Sequence, residues 1–280
     1  MNSEAAGIIF GLASALSWGA GDFSGGVASK RNHVYTVIVL SQVVGVTLLT
    51  LLALLWREPL PPARHLLMGG LGGIAGAIGL VALYRGLATG HMGLIAPLTA
   101  VVAAGVPVLV TAFLEGLPGP ARLLGFLFAL GGIWTISGKG GGAHVGLHEL
   151  QLPLIAGLGF AGFFIAIDQV SAQAVFWPLV TARLSSMGLL SAVATLRRQW
   201  EKPAGGQLLL IAVTGLFETG GNIFFALASA AGRVDVASVL ASLYPAATVF
   251  LAWAILKEQL SRRQSLGVAA VLAAVVLIGA

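Results

Sequence analysis

Hydrophobic positions along this chain form long unbroken runs, not alternating faces. Ten runs stand out, at about 5–28, 34–56, 66–88, 92–114, 121–138, 152–172, 177–196, 206–230, 236–256 and 264–280. Each is close to the roughly 20 residues a helix needs to cross a bilayer core. Outer-membrane barrel strands would show alternating runs of about ten residues instead. The connections collect the breakers and charges: Lys30-Arg31-Asn32-His33, Arg57-Glu58-Pro59, Leu117-Pro118-Gly119-Pro120, Arg197-Arg198 and Arg262-Arg263. The longest, Gly138 to Gln151, is glycine-rich and reads as a linker. The pattern predicts an all-α integral membrane protein of ten transmembrane helices, with five-helix units at 1–138 and 152–280 joined by a linker at 139–151.

The two units resemble each other. Gly11-Leu12, Trp18 and Asp22 align with Gly157-Leu158, Phe164 and Asp168 at an offset of 146. Leu67, Gly73 and Gly79 align with Leu209, Gly215 and Gly221 at an offset of 142. Glu115 and Leu124-Gly125 correspond to Glu258 and Leu266-Gly267. Five is odd, so two such units in series insert with opposite orientation. The expectation is an inverted-topology repeat, the architecture of carriers that alternate access around a central site.

A glycine-rich third segment, acidic residues ending the fourth and ninth (Leu114-Glu115 and Leu256-Lys257-Glu258-Gln259-Leu260-Ser261), and Leu-Gly opening the next segment recur in order in both halves. In these features the whole chain resembles the EamA-type transporters of the drug/metabolite transporter superfamily. The resemblance implies a ten-helix carrier or exporter of a small metabolite. Relatives of that kind move amino acids, nucleotide-sugars or organic phosphates, so it leaves the substrate open. The halves differ in proline: Pro97 and Pro107 in the fourth segment face only Pro245 in the ninth.

Composition excludes other classes. Hydrophobic residues make up 58% of the 280 and charged residues 9%, with no cysteine. A soluble fold of this size has too little interior for so much apolar surface, which rules out a soluble enzyme or a nucleic-acid binder. Glycine, at 39 residues, fits helices packed closely in lipid. The small-xxx-small spacings of Gly69 to Gly76 and of Gly21 to Gly25 mark such surfaces. The glycine-rich stretches lack the strand and lysine of a nucleotide-binding loop. Without cysteine no disulfide or thiolate site exists, and nothing calls for a metal or a cofactor. His144 and His148 have metal-compatible spacing but lack a partner cluster. The start of the chain has Glu4 and no basic cluster, unlike a cleaved signal peptide.

The net charge of +5 reflects topology signals. Odd-numbered connections hold Lys30, Arg31, Arg85, Lys139, Arg197, Arg198, Lys202, Lys257, Arg262 and Arg263; even-numbered ones hold Arg57, Arg64, Arg122 and Arg233. The bias places the odd connections in the cytoplasm and both chain ends outside. Relatives in the resembled family are often described with cytoplasmic termini, the opposite sense.

Ionisable groups inside spans are functional candidates because lipid cannot solvate them. Glu218, at the middle of the eighth segment, shares a helix face with Asn222 and is a candidate proton carrier or ligand for a substrate amine. Asp22 and Asp168 are a repeat-related pair, each paired by depth with an arginine, Arg85 and Arg183. The expectation is two gating ion pairs, one toward each membrane face, with permanent interhelical anchors as the equal alternative. Trp18, Phe164, Tyr84 and Tyr244 are candidate cavity-lining aromatics, and Gln42 is a candidate polar contact. Glu115 and Glu258 are expected to pair with Arg122 and Arg262 at connections. Trp56, Trp134, Trp177, Trp200 and Trp253 read mostly as interfacial anchors.

Together these point to a multi-pass secondary transporter of the bacterial inner membrane, with amino acid export by alternating access as the leading expectation. Its partners would be a small molecule, protons and the lipid bilayer. An exporter of organic cations or drugs is the nearest alternative. An integral membrane enzyme acting on lipid head groups would need acids, histidines or arginines clustered at one interface, which the sequence does not show.

Overall fold

The computed structural model describes residues 3–29, 31–88, 92–137, 151–203, 205–247, 251, 254 and 262–278, with the side chains of residues 84–98 and 136–137, and of several in the last helix, outside that set. The described residues form ten helices: α1 (Ser3–Ser29), α2 (Val34–Leu55), α3 (Ala63–Ala88), α4 (Met92–Glu115), α5 (Pro120–Ser137), α6 (Gln151–Ser171), α7 (Phe176–Leu196), α8 (Leu208–Ala231), α9 (Val234–Ala241) and α10 (Arg262–Ile278). No strand occurs among them. Six helices (α1, α2, α3, α6, α7 and α8) are long and apolar enough to cross a membrane; described stretches of α4, α5 and α9 form shorter apolar helices.

Large apolar side chains point outward: Leu16, Leu51, Leu71, Leu109, Phe113, Leu127, Leu158 and Leu209 are all exposed. Small and polar residues lie inside, among them Ser14, Ser17, Gln42, Thr214, Thr219 and Asn222. That distribution suits lipid outside and hydrogen-bonding partners within. Between α1 and α8, Ser14 Oγ donates to the Gly221 carbonyl and Ser17 Oγ to the Phe217 carbonyl, each at 2.8 Å, and Thr214 Oγ1 donates to Ser24 Oγ at 3.0 Å. Such bonds contribute about 0.6 kcal/mol each in a membrane.

The main packing pairs cross between the halves. Helix α1 packs on α8 and α9, α3 on α6 and α7, α2 on α7 and α8, α4 on α6 and α9, and α5 on α10. Exchanging the halves (α1 for α6, α2 for α7, and so on) turns this set of pairs into itself. Directions agree. Helix α2 runs antiparallel to its equivalent α7, with Gln42 bonded to Ser186 and Gly45 against Arg183. These two contacts are each other's images, because an offset of 141 carries Gln42 to Arg183 and Gly45 to Ser186. Trp18 and Phe164, also equivalents, stack on each other at 5.6 Å. A two-fold axis of pseudo-symmetry therefore passes between these pairs.

Glycine makes the crossings of α3 close. A Cβ on Gly69 would meet the Thr181 hydroxyl at 2.7 Å, and one on Gly79 would meet the Ala156 carbonyl at 2.9 Å. Helix α9 departs from the sequence expectation. It stops at Ala241, turns through Ser242 and Leu243, and resumes as helix over 244–247. Pro245 explains the break, since its ring clashes with the carbonyl four residues earlier and donates no hydrogen bond. Pro97 and Pro107 lie within the continuous α4, so the two repeats do not share this break.

Candidate functional site

The pseudo-two-fold axis runs into a cavity of about 120 Å³. Helices α1, α2, α7 and α8 supply its polar side chains: Trp18, Asp22, Gln42, Arg183, Ser186, Glu218 and Asn222. Tyr244, just past the break in α9, reaches it too, and Phe160, Phe163, Phe164, Leu80 and Leu83 form an apolar wall. Of the residues expected from sequence, Trp18, Asp22, Gln42, Phe164, Arg183, Glu218, Asn222 and Tyr244 are thus brought together. The side chains of Tyr84 and Arg85 lie outside the described residues, as do Glu258, Trp253, His91, His144 and His148.

Space for the charges comes from glycine. A Cβ on Gly21 would stand 2.6 Å from Glu218 Oε1, and one on Gly45 would stand 3.4 Å from Arg183 Nε. Trp18 is fixed from both sides: its ring stacks on Phe164 and its Nε1 donates to Asn222 Oδ1 at 2.9 Å. Gln42 Nε2 donates to Ser186 Oγ at 2.9 Å. Glu218 interacts electrostatically with both Asp22 and Arg183. Even so, Arg183 forms no ion pair among the described residues. Its Nε and Nη2 are buried without a hydrogen-bond partner, as are Gln42 Oε1 and Thr219 Oγ1. Among the described residues, the cavity thus holds two carboxyl groups, one guanidinium with unused donors, and a wall of stacked aromatic rings.

Of the two expected gating pairs, Asp22–Arg85 lies outside the described residues because of the Arg85 side chain, and the other is not formed in this structure. Asp168 and Arg183 do not pair: Asp168 Oδ1 accepts from Ser229 Oγ, while Arg183 lines the cavity near Glu218. Sequence depth alone misassigned them, because Arg183 sits where α7 crosses Gly45 of α2, away from the end of α6. Asp22 faces Glu218 inside the cavity. The Glu115–Arg122 pair is also replaced. Arg122 pairs with Glu4, and Arg233 bridges Glu115 at 3.4 Å and Asp235 at 3.0 Å. Asp235's hydrogen bonds raise the Arg233 pKa above its ordinary value.

Sequence reading missed Phe160, Phe163 and Ser186 as lining residues. Helical spacing carried the signal, since Phe160 is four residues before Phe164 and Ser186 three after Arg183. Asp235, fully buried, carries no such signal in the sequence.

The cavity is lopsided relative to the repeat symmetry. Asp22, Gly73, Ala77 and Leu83 line it, whereas their equivalents Asp168, Gly215, Thr219 and Phe225 do not. It therefore lies toward the Asp22 end of the bundle. The Asp168 end carries the interlocks: Glu4–Arg122, the Arg233 bridge, and Asp168–Ser229.

An all-helical bundle with an apolar exterior and a charged inner cavity between two exchanged halves is a multi-pass membrane protein built to hold a small molecule. The EamA-like transporter family matches this chain twice, over residues 5–138 and 149–280. The chain belongs to that family, whose members are membrane transporters of small molecules. The crystal structure of a protein 17% identical in sequence is similar to it, covering 98% of this chain and 96% of its own, with a TM-score of 0.77. At that identity the likeness is one of fold. No curated protein matches the chain.

Proposed function

We propose that this protein is a secondary transporter that exports amino acids by alternating access. In this reading ten helices span the bacterial inner membrane as two inverted units, 1–138 and 152–280, with 139–151 between them. One observation carries the substrate assignment. Arg183, with buried and unused donors, shares a cavity with Asp22 and Glu218 beside the Trp18–Phe164 stack. A zwitterion fits that charge pattern: its carboxylate would meet the guanidinium, its ammonium the carboxyl groups, and its side chain the aromatic wall. Asn222, Gln42 and Tyr244 would orient it. A neutral zwitterion leaves one carboxyl in the cavity unmatched, and a proton is the simplest cation to balance it, which supports coupling through Glu218.

Uptake of labelled amino acids into reconstituted vesicles, with and without a pH gradient, tests this reading. Accumulation that follows the gradient is the expected result; no movement across a broad panel would sink it. An organic-cation exporter is the second reading, favoured by two carboxyl groups beside stacked rings. Arg183→Gln separates them, since it abolishes zwitterion movement but leaves or improves that of a cation. An enzyme working on lipid head groups is disfavoured, because the cavity's charges lie within the bundle between α1, α2, α7 and α8.

A further inference from the structure

The α2–α3 connection of the first half is bolted to the start of α7 in the second. Glu58 Oε1 accepts from the Val175 and Phe176 amides at 2.7 and 3.1 Å. Its Oε2 accepts from Phe176 and Trp177 at 3.0 and 2.9 Å. Trp177 Nε1 donates back to the Glu58 carbonyl at 3.0 Å. A carboxylate on the unpaired amides of a helix start is strongly held. This bolt sits at the Asp168 end, away from the cavity lining.

The same backbone recurs in the second half, carrying a different side chain. Arg57 and Arg198 both adopt left-handed conformations, with φ of 54° and 53°. Glu58 N–H donates to the Ala53 carbonyl at 2.9 Å, and Gln199 N–H to that of Ala194 at 2.8 Å. An offset of 141 therefore carries Glu58 to Gln199, and carries Val175, Phe176 and Trp177 to Val34, Tyr35 and Thr36 at the start of α2. There the bolt is undone. Gln199 Oε1 is buried without a partner, and the Tyr35 amide is capped locally by His33 at 3.4 Å. Thr36, equivalent to Trp177, donates to the Glu201 carbonyl at 3.1 Å, two residues past the equivalent position.

We propose that Glu58 and Gln199 are reciprocal latches: Glu58 on the α7 start closes the Asp168 end in the state described here, and Gln199 on the α2 start closes the Asp22 end in the opposite state. The inference rests on the alternating-access reading, which requires the two halves to exchange conformations. It assigns the gating role to side-chain caps on helix starts, one a carboxylate and one an amide, in place of ion pairs inside spans. Because one latch is a carboxylate and the other an amide, it also makes the Glu58-closed state the favoured one at rest.

The chain has no cysteine, so spin labels report only where they are introduced. Leu60 and Gln173, both exposed, flank the Glu58 latch; Arg31 and Lys202, also exposed, flank the Gln199 latch. Distances across each cysteine pair would be measured in reconstituted protein carrying Glu58→Ala, Glu58→Gln or Gln199→Glu. Glu58→Ala removes an acceptor and Gln199→Glu turns the amide, with its single acceptor oxygen, into a carboxylate with two. Both are expected to lengthen the Leu60–Gln173 distance and shorten the Arg31–Lys202 distance, shifting the ratio of the two populations by about tenfold or more. Glu58→Gln falls between. A change confined to the mutated end, or no change with Gln199→Glu, overturns the latch. Amino acid movement is scored separately in the label-free protein. If movement is absent but the distances change reciprocally, the substrate assignment fails and the latch stands. If movement occurs without reciprocity, the latch fails alone.

Discussion

Glu218 and Gly76 occupy equivalent positions in the two halves, and both line the cavity. The axis thus brings together a carboxyl group on one side and open space on the other, made possible by Gly21, whose missing side chain accommodates the Glu218 carboxyl. In the proposed transporter that carboxyl meets the substrate ammonium or a proton. Glu218→Gln keeps the shape and removes the charge. Amino acid uptake into vesicles is expected to fall by roughly 100-fold, the scale of losing one partner of a buried charge pair, and to lose its dependence on a pH gradient. Full activity with an unchanged pH response would leave Glu218 a structural hydrogen-bonding residue. Arg183 gives a graded test. A lysine there keeps the charge but lacks the planar fork that suits a carboxylate, so Arg183→Lys should raise the apparent KM by about tenfold with kcat less affected, whereas Arg183→Gln should abolish uptake. Equal effects of the two substitutions would mean that bidentate recognition is not at work.

At the scale of elements, the long helices were legible because lipid leaves little choice: a run of about 20 apolar residues must satisfy its backbone internally. The ends of α1 through α8 fall within a few residues of the hydrophobic runs. Helix α9 was not legible, since a run of apolar residues conceals a break that only Pro245 marks. Glycine-rich packing surfaces were visible as spacings, but which partner they serve was not. Gly73 of α3 meets the backbone of Ala182 in α7, while Gly105 of α4 has nothing among the described residues within reach of an added Cβ. The two make a controlled pair. Gly73→Ala should destabilise the protein by about 1–3 kcal/mol, through overpacking against an immovable backbone. Gly105→Ala should be neutral or stabilise by up to about 1 kcal/mol, through helix propensity. Thermal unfolding in detergent reads both, and a stable Gly73→Ala protein would show that α3 and α7 can separate without cost.

For the whole molecule, the repeat could be read from Asp22 and Asp168 or from Gly73 and Gly215, but not how the halves interlock. Sequence offsets order equivalents along the chain; they do not say that α1 packs on α8 and α3 on α6. This is why Asp168 was matched by depth to Arg183 when its partner is Ser229. Orientation in the membrane remains a matter of charge, and the fold sharpens it by sorting connections into two ends. The Asp168 end holds Arg57, Arg64, Arg122 and Arg233, of which Arg122 and Arg233 are already paired with acids. The Asp22 end holds Arg31, Arg197, Arg198 and Lys202, with no ion pair among the described residues there. Lys and Arg are retained on the cytoplasmic side whether or not acids pair with them. The connections at the Asp22 end carry ten of them in the sequence against four at the other, so the Asp22 end should face the cytoplasm and the cavity described here should lie on that side. In intact cells, an impermeant thiol reagent should label Leu60→Cys from outside and leave Lys202→Cys untouched until the membrane is opened. The reverse pattern would invert the protein and, with it, the direction in which the described state is poised to load its substrate.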